Sequence, residues 1–234
     1  MNGFILEVVD STQLEAKRYL ENGERSPFFV ASKQQTQGRG RYGRTWETPR
    51  GNLAITFVFP DDLGTNGLQA LPIQMPVTLC KVLGEYVAGV AIKWPNDLLM
   101  NSKKIGGILI ERYQEHILIG VGINLKHAPQ MDRPLFSPTS ILTEAGKDID
   151  FEIILSDISH KTQQDLAVIK QQGLSQNLHQ QWMECAHGLG QVALVRKVNQ
   201  SVEGKLLGIT LDGFLKLEKE DGEIELISSA DVFF

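Results

Sequence analysis

Cysteine is almost missing from this chain, and that shortage excludes two kinds of site. Cys80 and Cys185 are the two cysteines. They stand far apart in apolar or helical surroundings and form no C-x-x-C pair, so neither a disulfide framework nor a thiolate metal site is expected. The five histidines, His116, His127, His160, His179 and His187, show no metal-ligand spacing. No hydrophobic run reaches the length of a membrane span. The apolar start from Met1 to Val9 is short and lacks a basic leader region. A soluble protein in a reducing, cytoplasmic setting is expected, with no membrane partner. An excess of positive charge is missing too. The formal net charge is −5, whereas a general nucleic-acid binder surrounds its contacts with a positive field.

What remains is ordinary globular composition, with 42% hydrophobic and 22% charged residues. At 234 residues the chain has room for one large domain, or one domain and a small appendage. Phe4 to Val9 reads as a strand, and Thr12 with Glu15 as a capping box opening a helix that ends near Gly23. Phe28 to Ser32 and Asn52 to Phe59 read as strands. Apolar spacing from Pro76 to Val87 predicts a helix. Strands are expected at Ala91 to Trp94, Asp97 to Met100, Ile105 to Arg112 and Ile117 to Leu125. In the last of these, Gly120 and Gly122 mark a place where a ligand or another backbone comes close. Lys126 to Ser137 reads as irregular, and Phe151 to Cys185 as helix with a break at Gly173. Short strands separated by Asp212-Gly213 and Asp221-Gly222 then predict a small antiparallel β barrel. The boundary falls near Gly188–Gly190, giving domains 1–187 and 188–234.

Against that background one segment stands apart: Gln37-Gly38-Arg39-Gly40-Arg41-Tyr42-Gly43-Arg44-Thr45-Trp46, with Arg50 soon after. It has little to bury, and glycine gives up much entropy on ordering. Mobility of residues 37–47 is therefore expected until an anion fills the loop. Guanidinium forks suit carboxylate and phosphate, and glycines leave backbone N–H groups open to oxyanions. Taken by itself the run fits a solvated basic surface loop equally well. Localised positive charge in an acidic body suits a small anion better than a long polyanion.

Three further clusters follow: Lys93-Trp94-Pro95-Asn96-Asp97, Lys104-Ile105-Gly106-Gly107-Ile108-Leu109-Ile110-Glu111, and Gly120-Val121-Gly122-Ile123-Asn124. Each has a structural reading when taken singly, as a strand end, a bulge or a turn. Together with the Gln35-to-Trp46 loop, in this order and spacing, they resemble the biotin–protein ligase family, also called biotin–acetyl-CoA-carboxylase ligases. The resemblance runs from about Val8 to the C-terminus.

The resemblance implies a mixed α+β fold, with a sheet flanked by helices as in class II aminoacyl-tRNA synthetase cores and a small SH3-like C-terminal barrel. It implies a two-step ATP-dependent ligase reaction. Biotin and MgATP give biotinoyl-5′-adenylate and pyrophosphate, and a lysine of biotin carboxyl carrier protein then takes the biotin and releases AMP. Two unit charges ~4 Å apart repel by roughly 4 kcal/mol at an effective dielectric of 20, so a carboxylate approaching ATP needs fixed cations. Arg39, Arg41 and Lys104 are the expected bearers, with Lys104 nearest the reacting pair. By the same resemblance Ser11, Thr12, Gln13 and Gln35 meet the biotin head group. Arg39, Gly40, Arg41, Lys104, Gly107 and Leu109 complete that pocket. Gln13 departs from the family residue at its position. Arg41, Arg44, Trp46, Lys93, Asn96 and Asn124 are assigned to ATP, with Trp46 and Asn124 at adenine. Asp97 is assigned to Mg2+. Loop closure over the reactive anhydride would exclude water.

Many members carry an N-terminal helix-turn-helix that reads DNA. Here the first strand begins within four residues of Met1, so a monofunctional ligase without a DNA partner is expected. Two other readings remain: a lipoate–protein ligase of the same fold, and a non-catalytic nucleic-acid-binding protein. The family often forms homodimers through an extended intersubunit sheet, so a second copy of the chain is among the partners the resemblance implies.

Overall fold

A computed structural model describes residues 1–129, 137–197 and 200–234. Seven strands form a mixed sheet: β1 (Asn2–Leu6), β2 (Phe28–Ser32), β3 (Leu53–Pro60), β4 (Val90–Lys93), β5 (Asp97–Met100), β6 (Lys103–Tyr113) and β7 (His116–Ile123). Their spatial order is β1-β2-β3-β7-β6-β5-β4. The β1/β2 pair is parallel and the other neighbours are antiparallel. Strand alternation sends apolar side chains to both faces. On one face α1 (Thr12–Glu21) covers Phe28, Val30, Val58 and Leu118. On the other lie α2 (Gly64–Gly84), α4 (Phe151–Gln172) and α5 (Gln176–Cys185), over the larger core built on Ile55, Phe57, Ile119 and Val121. A short α3 (Ile141–Ala145) precedes α4. The β5–β6 hairpin turns at Asn101 and Ser102, both with positive φ (50° and 60°), as a tight two-residue turn demands.

Two expectations about helices are corrected. α2 begins at Gly64, well before Pro76, and carries both Pro72 and Pro76 inside it. An internal proline costs about 3 kcal/mol, but α2 is buried along most of its length, and that packing outweighs the loss. The N-cap of α1 is Ser11, whose side chain makes no capping bond. The Gln35 side-chain oxygen accepts the Thr12 N–H instead, at 2.8 Å. Thr12 is thereby released from the expected capping box. The cysteines, far apart in sequence, stand close enough for each thiol to shift the other, and Cys80 Sγ donates to the Val90 carbonyl at 3.4 Å.

The C-terminal strands β8 (Val192–Arg196), β9 (Ser201–Ile209), β10 (Leu215–Glu218), β11 (Ile224–Ile227) and β12 (Asp231–Phe233) form a separate antiparallel sheet, ordered β11-β10-β9-β8-β12. This is the small SH3-like unit, although among the described residues no ladder closes it into a barrel. It leans on the main sheet near the β4–β5 turn, where Trp94 Nε1 donates to the Gly213 carbonyl at 3.2 Å. Of the irregular stretch expected at Lys126 to Ser137, residues 130–136 lie outside the described residues. Among those described, no helix is long and apolar enough to cross a membrane.

Candidate active site

One cavity of about 900 Å3 opens at the C-terminal ends of β2 and β7, against β6 and the β4–β5 turn. All sixteen residues singled out from the sequence line it. Its wall also takes Gly120 and Gly122, expected to mark a close approach, and Tyr42, Thr45, Glu47, Thr56, Pro95 and Asp231, which the sequence reading did not assign.

The first part of the wall is neutral. Gln35 Oε1 accepts from Thr12 N (2.8 Å) and from Thr12 Oγ1 (3.1 Å), while Gln35 Nε2 donates to Thr48 Oγ1 (2.9 Å). Thr56 Oγ1 lies 2.9 Å from both Thr12 Oγ1 and Gln13 Oε1. Ser11 Oγ is buried here and has no partner. A buried polar atom without a partner is costly, so Ser11 fits a wall meant to meet another polar group.

The second part is charged. Lys93 and Asp97 are register partners across the short β4–β5 turn. Asp97 sits between two ammonium groups, with Lys104 Nζ 2.6 Å from one oxygen and Lys93 Nζ 3.3 Å from the other. Burial raises the Asp97 carboxyl, but Lys104 and Lys93 outweigh it and hold it below the usual value. Burial lowers Lys93 to about 8, with Lys104 adding to the effect and Asp97 opposing it. Loss of this charge weakens any phosphate contact, so kcat/KM for ATP is expected to fall as pH rises through about 8, by about tenfold per further unit. A pH profile of ATP–pyrophosphate exchange that stays flat to pH 10 would contradict this.

Lys104 reaches the cavity because of an irregularity. Gly107 and Leu109, two residues apart, share one face of β6. Lys104 is an odd number of residues from both and would face away in a regular strand. A register shift against β5, where Leu98 pairs Gly106 and Leu99 pairs Lys104, inserts Ile105 as an extra residue. The bulge brings Lys104 round to the same side.

The Arg/Gly loop, expected to stay mobile until an anion fills it, is here folded over this site. Arg39 and Thr45 form a bridge, Gly40 N donates to Arg44 O (2.8 Å), and Trp46 N donates to Gly38 O (2.9 Å). The missing anion is supplied by the protein itself. Arg44 makes a two-point contact with the Asp231 carboxylate (2.6 and 3.3 Å). Arg41 donates to Asn96 Oδ1 (3.0 Å), Tyr42 Oη (3.0 Å) and Ser229 Oγ (3.1 Å). Arg39 is exposed on the same wall. Trp46 lies across the paired glycines Gly107 and Gly122. A Cβ at Gly122 would sit 2.2 Å from its Nε1. The close approach expected at Gly120 and Gly122 is thus made by the side chains of Gln13 and Trp46. Lys104 Nζ stands 5.3 Å from the indole, within cation–π range.

Asn124 is buried, donating through Nδ2 to Thr139 O (2.9 Å), while its Oδ1 has no partner. Among the described residues no cluster of three or more His, Cys, Asp or Glu could cage a metal. Asp97 and Asn96 Oδ1 are the nearby oxygens, and each already faces a cation. That donor set fits Mg2+ arriving with phosphate and water, which needs one or two protein oxygens, and does not fit a resident ion.

Comparison with known proteins agrees with this arrangement. Residues 5–124 match the family described as Biotin/lipoate A/B protein ligase, and residues 190–234 match the Biotin protein ligase C terminal domain. The biotin–[acetyl-CoA-carboxylase] ligase of Paracoccus denitrificans is 31% identical over 98% of this chain and 99% of its own length. The bifunctional ligase/repressor BirA of Bacillus subtilis is 31% identical over 97% of this chain and 72% of its own. The biotin protein ligase of Aquifex aeolicus, solved in complex with biotin and ATP, superposes with a TM-score of 0.87 at 27% identity, covering 99% of this chain and 97% of that one. The chain belongs to the biotin/lipoate protein ligase family, in its biotin protein ligase branch.

Proposed function

We propose that this protein is a biotin–protein ligase that activates biotin with ATP and transfers it to a lysine of the biotin carboxyl carrier protein of acetyl-CoA carboxylase. The observation that carries this reading is the joining, in one cavity, of a neutral hydrogen-bonding wall to a cationic wall. The neutral wall, from Ser11, Thr12, Gln13 and Gln35, suits a ureido head group. Gly107 and Leu109 border the apolar part. The lining holds Arg39, Arg41, Arg44, Lys93 and Lys104 against Glu47, Asp97 and Asp231, so positive charge is concentrated there in an acidic protein.

A carboxylate oxygen of biotin attacks the α-phosphorus, the bond to the bridging oxygen breaks, and pyrophosphate leaves. Lys104, with Arg41 and Arg39, faces the charge that grows on the α-phosphate. Lys93 holds the outgoing phosphates, and Mg2+ brought with ATP and held beside Asp97 and Asn96 would neutralise them further. Trp46 and the unsatisfied Asn124 oxygen serve adenine, the latter as acceptor for its exocyclic amine. In the second step the acceptor amine attacks the acyl carbon, loses a proton and expels AMP. Residues 1–187 carry this chemistry, and residues 188–234 hold the loop through Ser229 and Asp231.

ATP–pyrophosphate exchange tests the reading. Exchange driven by biotin and not by lipoate is expected, and the reverse pattern would assign the chain to lipoate.

A further inference from the structure

Beneath the neutral wall lies a residue to which the reaction assigns no task. Glu111, on β6, accepts from Gln13 Nε2 at 3.2 Å and from Lys17 Nζ at 2.9 Å. A carboxylate is only an acceptor, so it fixes which way the Gln13 amide lies. The nitrogen must face Glu111. The oxygen then faces Thr56 and lies over Gly120, where even a Cβ would come within 2.8 Å of it. Both Thr56 and Gly120 line the cavity, and Gln13 is almost fully buried.

With the amide fixed, the hydrogens in the wall can be counted. Thr12 Oγ1 spends its hydrogen on Gln35. Thr56 has a single hydrogen and two acceptors at equal distance, Thr12 Oγ1 and Gln13 Oε1. One acceptor is left over whichever way the hydroxyl turns. The Thr12–Gln13–Thr56 cluster is one donor short, since the unpartnered Ser11 hydroxyl bonds to neither acceptor, and the shortage lasts as long as Glu111 prevents the amide from flipping to offer its N–H groups.

We propose that Glu111 is a positioning and specificity-determining residue. By clamping the Gln13 amide it keeps an acceptor turned into the cavity, selecting a ligand head group that brings an N–H donor. A cyclic urea supplies one and a dithiolane does not. This rests on the proposed function and extends it to the choice between the two acids. Lys17 anchors the clamp by holding the carboxylate in place.

Exchange assays on Glu111→Leu, Glu111→Gln and Gln13→Leu, with biotin and with biotin methylated at a ureido nitrogen, test the inference. Glu111 is about one-third exposed, so its replacement leaves the core intact. Glu111→Leu is expected to raise KM for biotin about tenfold, the loss of roughly one hydrogen bond, with kcat and KM for ATP unchanged. Preference for biotin over the methylated analogue should shrink with it. Glu111→Gln, whose oxygen still accepts from Gln13, should restore both values. Adding Glu111→Leu to Gln13→Leu should cost nothing further. Lys17→Met, a second route to loosening the clamp, should raise the same KM two- to threefold. Unchanged biotin KM in both Glu111→Leu and Lys17→Met, or additive effects of Glu111→Leu and Gln13→Leu, would overturn the clamp. If the unaltered protein shows no biotin-dependent exchange at all, the proposed function has failed instead.

Discussion

Lys104→Met is expected to slow adenylate formation by about 10²–10³-fold, the usual cost of deleting one electrostatic contact to a developing charge. Methionine is one atom shorter than lysine but keeps its unbranched apolar stem, so packing near Gly107 and the Trp46 ring survives. What disappears is an ammonium 2.6 Å from Asp97 and turned into the cavity. Lys93 remains to neutralise Asp97, which keeps the turn intact. Because charge accumulates between ground state and transition state, kcat should fall far more than KM for biotin rises. Rapid-quench measurement of the adenylate in a single turnover isolates the step. A rate within threefold of the unaltered protein would remove Lys104 from the reacting centre.

Gly122→Ala should do comparable damage by a different route. The added methyl would lie 2.2 Å from Trp46 Nε1 and 2.4 Å from Cε2, and a rigid indole can yield only by lifting away. Trp46 is tied to Gly38 through its backbone N–H, so displacing the ring drags the base of the Arg/Gly loop with it. Misplacing catalytic groups by ~1 Å costs about 10²-fold, and that is the expected loss in kcat/KM for both substrates. Trp94 and Trp182 are buried, so a red-shifted, more quenchable emission in the variant would report Trp46. Normal turnover with unchanged fluorescence would show that the indole does not need the glycine floor.

Much of the site was legible because its signals are local and chemically unusual. Guanidinium groups among glycines, or a lysine and an aspartate around a Trp-Pro turn, each have a plain structural reading, and it was their joint order and spacing that marked a site. The sheet was legible for a related reason, since Phe28–Ser32 and Asp97–Met100 announce themselves by apolar β-branched or aliphatic runs with turn residues at their ends. What escaped depended on distant partners. Asp231 is an ordinary acid until the fold sets it against Arg44, 187 positions away. Thr56 looks like one more strand residue until Thr12 and Gln13 arrive. The bulge at Ile105 leaves no compositional mark, yet without it Lys104 would face away from the cavity. α2 was shortened in the reading because the apolar spacing was followed only from Pro76, and the burial that carries the helix through Pro72 and Pro76 is a property of the assembled core.

The floor and the lid of the cavity are built from materials with very different lifetimes. β6 and β7 lie inside the seven-stranded sheet, with ladders on both sides, so their backbone separates only when the domain itself comes apart. The lid hangs on an exposed Arg44–Asp231 pair, the Arg41–Asn96 hydrogen bond and a few hydroxyl contacts, and an exposed pair is worth about 0–1 kcal/mol. Active-site lids open on the microsecond-to-millisecond scale, long before a sheet interior of this kind would part. A folded acceptor protein, too large to enter while the loop is down, therefore needs only the lid to part and leaves the floor undisturbed.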